Sequence, residues 1–179
     1  MKPQITVNNQ QFSLFLAAEK IQERIKELAL ELEQDAQEKE LCFVVVLNGA
    51  MYFASDLILQ YTKPCTVQSI KCKSYEGMES TGKINFELPF SREIKGKHVV
   101  ILEDIIDTGT TLAFLLEEIK LFEPASVKVC TLLLKPPALK HSIPIDFMGF
   151  EIENVFVLGY GLDYDGFGRN YRDIYQIMK

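Results

Sequence analysis

The sequence lacks the features that mark membrane and exported proteins. No apolar run approaches the roughly 18 residues that a membrane span needs, and the first four residues, Met-Lys-Pro-Gln, are too polar to open a signal peptide. Positive charge is also in deficit, because 19 Lys and Arg stand against 25 Asp and Glu, a net charge of −6. This balance argues against nucleic acid or an anionic membrane as a partner, since either would favour a basic surface. We therefore expect a cytoplasmic protein.

Cysteine and histidine patterns typical of metal sites are missing as well. The sequence has four cysteines, which are Cys42, Cys65, Cys72 and Cys130. They show no CxxC or Cys/His spacing, and three of them lie in or beside apolar runs. This placement predicts buried free thiols in a reducing compartment. The two histidines, His98 and His141, have no partner pattern, so neither is assigned a catalytic role.

What the sequence does contain is an alternation of apolar strands and amphipathic helices. Its 179 residues and 47% hydrophobic content suit one domain, and no linker, repeat or low-complexity tract divides residues 1–179. The pattern predicts helices near residues 21–32, 50–61 and 111–122, and strands near residues 41–47, 66–72, 98–102, 126–134 and 154–160. This alternation predicts an α/β fold with a mostly parallel open sheet flanked by helices.

Four segments should meet at one edge of the predicted sheet, because open parallel sheets bind ligands just beyond the carboxyl ends of their strands. They are residues 48–50, 103–111, 135–137 and the residues that follow Tyr160. We expect the functional site there.

The segment 99–112, VVILEDIIDTGTTL, joins a buried strand to the start of a helix. Gly109 allows a backbone shape closed to other residues, and the N–H groups of such a turn at a helix N-terminus converge on an anion. A helix capped by Asp or Thr would explain the turn without a ligand. Glu103 and Asp104 favour a ligand, because adjacent carboxylates repel each other by up to about 4 kcal/mol at an intermediate dielectric. A phosphorylated sugar suits both parts of the segment, because its phosphate can bind in the turn and its hydroxyls or Mg²⁺ can bind to the acids.

This segment resembles the phosphoribosyl-diphosphate motif of type I phosphoribosyltransferases, in the version found in hypoxanthine-guanine phosphoribosyltransferases. Further segments resemble the family in the same order: 46–50 its diphosphate-binding turn, 73–82 its mobile loop, 133–135 its purine-recognition lysine segment, and 146–152 with 155–164 its hood. The resemblance implies a mostly parallel open sheet flanked by helices, with a small C-terminal hood and a mobile loop. It implies purine salvage, in which 5-phosphoribosyl passes from phosphoribosyl diphosphate to N9 of hypoxanthine or guanine.

The resemblance also implies which residues recognise the purine. Asp107 matches the candidate general base, which accepts the N7 proton or stabilises the charge that develops on the imidazole; capping the helix is the alternative. Lys135 would donate to the 6-oxo oxygen, where the alternative is an ordinary surface lysine at a strand end. Phe156 would stack on the base unless it belongs to the core. Val157 would meet the purine through its backbone.

The other matched residues would hold the sugar, its phosphates and Mg²⁺. Those expected at the 5′-phosphate are Thr108, Gly109, Thr110 and Thr111. Glu103 and Asp104 would bind the ribose hydroxyls, directly or through Mg²⁺. Asp163 would be a further metal ligand, and Arg169 a diphosphate contact, unless the two form only a surface ion pair.

Two further segments are assigned to the diphosphate by the same resemblance. Asn48 and Gly49 lie in the diphosphate turn, where many relatives have Lys instead of Asn48 and often a cis peptide before it. Ser74 and Tyr75 begin the polar loop that would close over the diphosphate and exclude water; a hairpin tip is the alternative.

Two other functions fit the sequence less well. One is a transferase that prefers xanthine, and the other is a non-catalytic regulator on the same fold that senses phosphoribosyl diphosphate or binds RNA. Asp107, Lys135 and the complete polar loop argue against the regulator, as does the acidic charge. The family is commonly dimeric or tetrameric, which implies a homodimer or homotetramer.

Overall fold

The computed structural model describes residues 3–73, 85–87 and 94–178 of the chain, and the α/β architecture predicted from the sequence is confirmed. A six-stranded sheet has the spatial order β5-β4-β3-β6-β7-β8, in which every pairing is parallel except that of β5 with β4. Its strands are β3 Leu41–Leu47, β4 Cys65–Lys73, β5 Asn85–Glu87, β6 His98–Ile106, β7 Ser126–Leu134 and β8 Phe147–Glu151.

Helices cover both faces of this sheet. They are α1 Ala18–Ala36, α2 Met51–Gln60 and α3 Thr110–Lys120. Successive side chains of a strand point to opposite faces, so Phe43 packs in the core with α1 and α2 while Val44 packs in the core with α3. Burial on both faces explains why β3 is a continuous apolar run rather than an alternating one. The chain has no described helix of the length and apolar character that crossing a membrane requires.

A second, antiparallel sheet forms a hood at one edge of the molecule. Its strands, in spatial order, are β1 Gln4–Val7, β2 Gln10–Leu16, β10 Ile174–Ile177 and β9 Val157–Leu158. We call these strands and the segment 159–173 the hood. The hood predicted from residues 146–152 and 155–164 is correct only for the second segment, because residues 147–151 form β8 of the parallel sheet. Half of the hood sheet comes instead from an N-terminal hairpin. The sequence signal for that hairpin is Asn8-Asn9, which turns the chain with both φ angles positive.

Helix positions are predicted closely, and one strand is wrong. The strand expected at residues 154–160 does not join the parallel sheet, because only Val157–Leu158 is extended and it pairs with β10. The outer parallel strand is instead β8, which pairs with β7. It escaped prediction because Phe147–Glu151 is a short edge strand, fully buried only at its first residue. Gly159, Tyr160 and Gly161 end β9 with three positive φ angles.

The acids also lie within a strand rather than in the loop after it. Strand β6 was expected to end at Leu102 but continues to Ile106. Glu103 and Asp104 therefore belong to the sheet, and Asp107 is the first residue beyond it. We call the carboxyl ends of β3, β6 and β7, with the turns that follow them, the rim.

Candidate active site

The turn between β6 and α3 has the shape of an anion site. Gly109, with φ +76°, precedes the first residue of α3, and a Cβ added there would lie 2.6 Å from the side chain of Ile143. The Thr108 hydroxyl donates to Thr110 Oγ1 over 3.1 Å. A cavity of about 110 Å³ lies beside the turn and is lined by residues Glu103 and 105–112. Backbone N–H groups at the start of α3 make this cavity suitable for a phosphate.

One side of this turn is closed by a residue that the sequence gave no reason to select. His141 Nε2 lies 3.2 Å from Thr110 Oγ1, and the Lys140 N–H donates to the Thr108 carbonyl over 3.0 Å. Residues 140 and 141 follow the 3-10 turn Pro136–Ala138, far from residue 110 in the sequence. No spacing pattern connects the two segments, so the contact becomes visible only in three dimensions.

A second cavity, of about 250 Å³, lies between the rim and the hood. It is lined by Asp104, Ile105, Asp107, Lys135, Phe156, Val157, Leu162 and Asp163. Lys135 Nζ lies 2.7 Å from Asp107 Oδ2, and the Lys135 side chain is 7% exposed against 47% for Asp107. Because β6 and β7 are neighbours, the residues that follow them meet at one point. Lys135 is thus a buried, paired lysine and not the surface lysine that was its alternative.

Phe156 and Val157 bring the hood to this cavity. The Phe156 ring contacts the rings of Phe12 and Tyr164, at centroid distances of 6.3 and 5.5 Å, yet it remains 42% exposed. It is therefore supported from behind and is not a core residue. The Ile177 N–H donates to the Phe156 carbonyl, and Val157 lies opposite Gln176. This register makes Val157 a non-hydrogen-bonded position of the ladder, so its own N–H and C=O point away from β10.

Glu103 and Asp104 are adjacent acidic residues on the rim whose side chains face different cavities. They are successive residues of β6, and they line different cavities, Glu103 the one at the phosphate turn and Asp104 the one below the hood. Burial, reinforced by the negative charge of Asp104, raises the pKa of Glu103 well above its ordinary value. Glu103 Oε2 has no hydrogen-bond partner among the described residues. A buried carboxylate oxygen without a partner is costly unless a ligand satisfies it.

The surroundings of Asp104 also raise the pKa of its carboxyl group. Burial raises the pKa of Asp104 to about 6, although backbone N–H groups and the Arg169 guanidinium oppose this change. A Cβ on Gly49 would lie 2.0 Å from Asp104 Oδ2, so any larger residue there would displace the Asp104 carboxylate. The peptide bond between Leu47 and Asn48 is cis, which answers a question that the sequence left open. The turn after β3 therefore lies directly against Asp104.

Asp163 and Arg169 form the ion pair that was their simpler interpretation, but they form it at the site. Arg169 Nη2 lies 2.6 Å from Asp163 Oδ1, and Arg169 Nη1 donates to the Gly161 carbonyl over 2.5 Å. Asp163 also accepts from the Gly166 N–H over 2.8 Å. Because Asp163 lines the cavity with Asp104, its carboxylate is available to a ligand there.

The predicted metal ligands Glu103, Asp104 and Asp163 do not form a three-residue site. In the described part of the chain, no group of three or more His, Cys, Asp or Glu side chains is arranged to hold a metal. The assignment of these residues to Mg²⁺, directly or through water and the ribose, therefore stays a prediction. The residues fit a different arrangement, since Mg²⁺ is usually held by one or two carboxylates together with water and substrate phosphates. Asp104 and Asp163 share a cavity and supply such a pair.

The structure brings together nearly all of the predicted site residues. The rim holds the predicted residues that lie in or directly after β3, β6 and β7, including Asn48 and Gly49. The hood contributes Phe156, Val157, Asp163 and Arg169. Ser74 and Tyr75 lie outside the described residues. Sequence reasoning missed Ile105 and Leu162, apolar residues that line the larger cavity. It also missed Phe12, which supports Phe156 from the N-terminal hairpin.

Comparison with known proteins finds the same family along most of the chain. Residues 13–165 match the family described as "Phosphoribosyl transferase domain". A hypoxanthine-guanine-xanthine phosphoribosyltransferase of Tritrichomonas foetus is 41% identical over 151 residues, which are 84% of this chain and 82% of that protein. A hypoxanthine-guanine phosphoribosyltransferase of Aquifex aeolicus is 34% identical over 173 residues, which are 96% of this chain and 97% of that protein.

Solved structures agree with these sequence relatives. The crystal structure of a hypoxanthine-guanine phosphoribosyltransferase from Bacillus anthracis superposes with a TM-score of 0.86 and 36% sequence identity. The alignment covers 93% of this chain and 97% of that chain. A hypoxanthine phosphoribosyltransferase from Staphylococcus aureus gives a TM-score of 0.87 at 36% identity, covering 93% of this chain and 91% of that chain.

Proposed function

The chain belongs to the phosphoribosyltransferase family, and from this premise we propose that it is a purine-salvage enzyme acting on hypoxanthine and guanine. It transfers 5-phosphoribosyl from phosphoribosyl diphosphate to purine N9 and releases diphosphate, giving IMP or GMP. The observation that carries the proposal is the pair of Lys135 Nζ and Asp107 Oδ2, 2.7 Å apart in the cavity under the hood. The O6 and N7 atoms of a 6-oxopurine lie side by side on one edge of the base. A donor and an acceptor held side by side match that edge.

This pair favours 6-oxopurines over adenine. A lysine ammonium can only donate hydrogen bonds, so Lys135 suits an oxo oxygen and cannot satisfy a 6-amino group. Lys135 is almost fully buried, which fixes its Nζ at the end of β7. A base that enters the cavity would replace the contact between Lys135 and Asp107 with one contact to each. Phe156 would cover the face of the base, and the backbone of Val157 would face its edge.

Asp107 is the residue we assign to proton transfer. As N9 bonds to C1 of the ribose and the bond from C1 to the diphosphate oxygen breaks, positive charge grows on the imidazole and the N7 proton becomes acidic. Asp107 accepts that proton, and its partly exposed carboxylate reaches into the cavity. The transition state has oxocarbenium character, as in glycoside cleavage. Negative charge near the sugar, from Asp104, stabilises such a cation.

We infer that the phosphates bind on either side of this centre. We assign the 5′-phosphate to the turn Thr108–Thr111, where α3 begins, and the ribose hydroxyls to Glu103 and Asp104. The diphosphate would lie near Asn48, Gly49 and the Arg169 guanidinium. Mg²⁺, when bound by Asp104, Asp163 and the diphosphate, would neutralise the charge of the leaving group.

A panel of four bases tests this proposal. Radiolabelled hypoxanthine, guanine, xanthine and adenine are each incubated with phosphoribosyl diphosphate, with and without Mg²⁺, and nucleotide formation is measured. We expect IMP and GMP only when Mg²⁺ is present, and little or no AMP. If no base gives a nucleotide, the chain is a non-catalytic regulator on this fold and not an enzyme.

Xanthine is the second candidate base. One relative that is 41% identical is named for hypoxanthine, guanine and xanthine together. In the same panel, a rate with xanthine above the rates with hypoxanthine and guanine would make this chain a xanthine-preferring transferase.

We also propose a cytoplasmic homodimer or homotetramer. Cys42, Cys65 and Cys130 are free thiols, as expected in a reducing compartment. Apolar residues on one face of α2, Met51, Tyr52 and Leu59, are exposed and could meet another copy. Light scattering of the purified protein gives the number of subunits.

A further inference from the structure

A cluster of polar side chains lies behind the site, where the chemistry does not use it; Tyr160 is buried, and Gln22 and Asp56 are half-buried. Tyr160 is 6% exposed, and its hydroxyl donates to Asp56 Oδ2. Gln22 Nε2 donates to the same carboxylate oxygen over 2.5 Å and lies 3.3 Å from Tyr160 Oη. Burial, and then the hydrogen bond to Asp56, raise the pKa of Tyr160, so its hydroxyl stays a donor. The cluster thus ties α1, α2 and the hood together beside a cavity of about 450 Å³.

The backbone at Tyr160 shows why such a tie is needed. Gly159, Tyr160 and Gly161 follow one another with φ of +104°, +51° and +98°. Glycine adopts positive φ without cost, but a residue with a Cβ does so only when its surroundings hold it there. The Tyr160 N–H donates to the Tyr171 carbonyl over 2.8 Å. The side-chain contact with Asp56 provides the second fixed point of this turn.

This turn lies directly against the rim. A Cβ on Gly161 would lie 2.0 Å from the Gly49 carbonyl oxygen, and a Cβ on Gly49 would lie equally close to Asp104 Oδ2. The backbones of the hood and of the diphosphate turn are therefore in van der Waals contact, with the acid beneath them. The Gly161 carbonyl accepts from Arg169, which in turn pairs with Asp163. Any shift of residue 161 would move both of these side chains.

We propose that Tyr160, through its hydrogen bond to Asp56, is a positioning residue for the diphosphate and metal half of the site. Asp56 lies on α2, the helix that starts directly after the diphosphate turn. One hydrogen bond therefore sets the distance between that turn and the hood segment with Asp163 and Arg169. The purine half does not depend on it, because Phe156 and Val157 are held by β10, Phe12 and Tyr164. This inference rests on the transferase function proposed above.

The test is a comparison of KM values between Tyr160→Phe and the wild type. Loss of the hydroxyl should raise the KM for phosphoribosyl diphosphate about tenfold, as for loss of a hydrogen bond to a charged group. The KM for diphosphate in the reverse reaction should rise in parallel, while the KM for hypoxanthine stays within about twofold. Tyr52→Phe is the matched control, since it removes a hydroxyl beside the same cavity.

Variants of Asp56 make the test independent of Tyr160. Asp56→Ala should reproduce the KM pattern of Tyr160→Phe, and the double variant should add little, because the two remove one interaction. Asp56→Asn keeps an acceptor oxygen and should restore much of the lost affinity. Equal changes in the KM for both substrates, or none, in an active protein would overturn the positioning role. An inactive wild type would instead remove the transferase proposal on which the role rests.

Discussion

The rim and the hood meet at the same cavities but are built in different ways. On the rim, Asp107 and Lys135 follow neighbouring parallel strands, so the hydrogen-bonded ladder of β6 and β7 sets their separation. In the hood, Phe156 depends on a ring contact with Phe12, and β9 and β2 both pair with β10. The rim holds its charged side chains on a fixed frame. The hood is formed by segments that are distant in the sequence and meet only when the chain is folded.

Because of this difference, we expect substitutions in the two regions to have different effects. A change to the acids of the rim or to their packing should reduce turnover, because reacting groups held by the sheet cannot move to compensate, whereas a change to Lys135 should weaken recognition of the base. A change in the hood should reduce the affinity for one substrate and leave the chemistry in place. Four substitutions test this contrast.

Replacing Asp107 with Asn should produce the largest loss on the rim. Without a proton acceptor for N7, kcat should fall by about 10²- to 10⁴-fold, while the affinity for phosphoribosyl diphosphate changes little. Steady-state rates with hypoxanthine measure the effect. Asp35→Asn is the control, because it makes the same chemical change at a helix position paired with Lys128. If Asp107→Asn turns over like the wild type, another group accepts the proton.

Replacing Gly49 with Ala should be nearly as harmful without removing any functional group. The new Cβ would lie 2.0 Å from Asp104 Oδ2 and displace that carboxylate. A shift of about 1 Å in a reacting group costs roughly 100-fold in kcat/KM, and overpacking should lower the free energy of unfolding by about 1–3 kcal/mol. Kinetics and urea denaturation measure the two effects. The control Ser55→Ala, at an exposed side chain of α2, should change both quantities far less.

Replacing Lys135 with Met should weaken recognition of the 6-oxo oxygen. Hydrogen bonds to charged groups contribute about 1.5–3 kcal/mol, so kcat/KM for hypoxanthine should fall roughly 10- to 150-fold. The preference for hypoxanthine over adenine should narrow as well. Lys140→Met changes an exposed lysine in the following loop and should leave both values unaltered. An unchanged preference for hypoxanthine over adenine would show that Lys135 does not recognise the 6-position of the base.

Replacing Phe156 with Leu should give the smallest loss and mark the hood as a recognition element. Aromatic contacts contribute about 0.5–1.5 kcal/mol beyond burial, so the KM for the base should rise roughly 2- to 12-fold with kcat unchanged. Phe167→Leu, at a hood aromatic that is 63% exposed, is the matched control. A fall in kcat rather than a rise in KM would show that the hood takes part in the chemistry.

The same contrast explains what could be predicted from the sequence. Residues of the rim follow continuous apolar strands, and a general rule places the ends of parallel strands together. Glu103, Asp104 and Asp107 could therefore be assigned to a ligand site before any family resemblance was considered. Lys135 needed the resemblance for its role, since nothing in the sequence shows that a lysine at a strand end is buried and paired.

Hood residues could not be reached in that way. The strand expected at 154–160 is wrong because three positive φ angles at 159–161 depend on contacts with Asp56, Tyr171 and Gly49. Those partners are distant in sequence, so no local pattern encodes them. The contact between His141 and Thr110 is of the same kind. The ion pair of Asp163 with Arg169 could not be predicted as part of the site for another reason, because residue type does not show which group a carboxylate faces.

The place of β10 between β2 and β9 sets an order on how the molecule matures during translation. Strands β3, β6 and β7 can pair as soon as residue 134 has left the ribosome. The hairpin of β1 and β2 is made first but must wait, with one edge open, until Ile174–Ile177 emerges. A nascent chain can therefore form the central strands of the parallel sheet before the sheet of the hood can be completed.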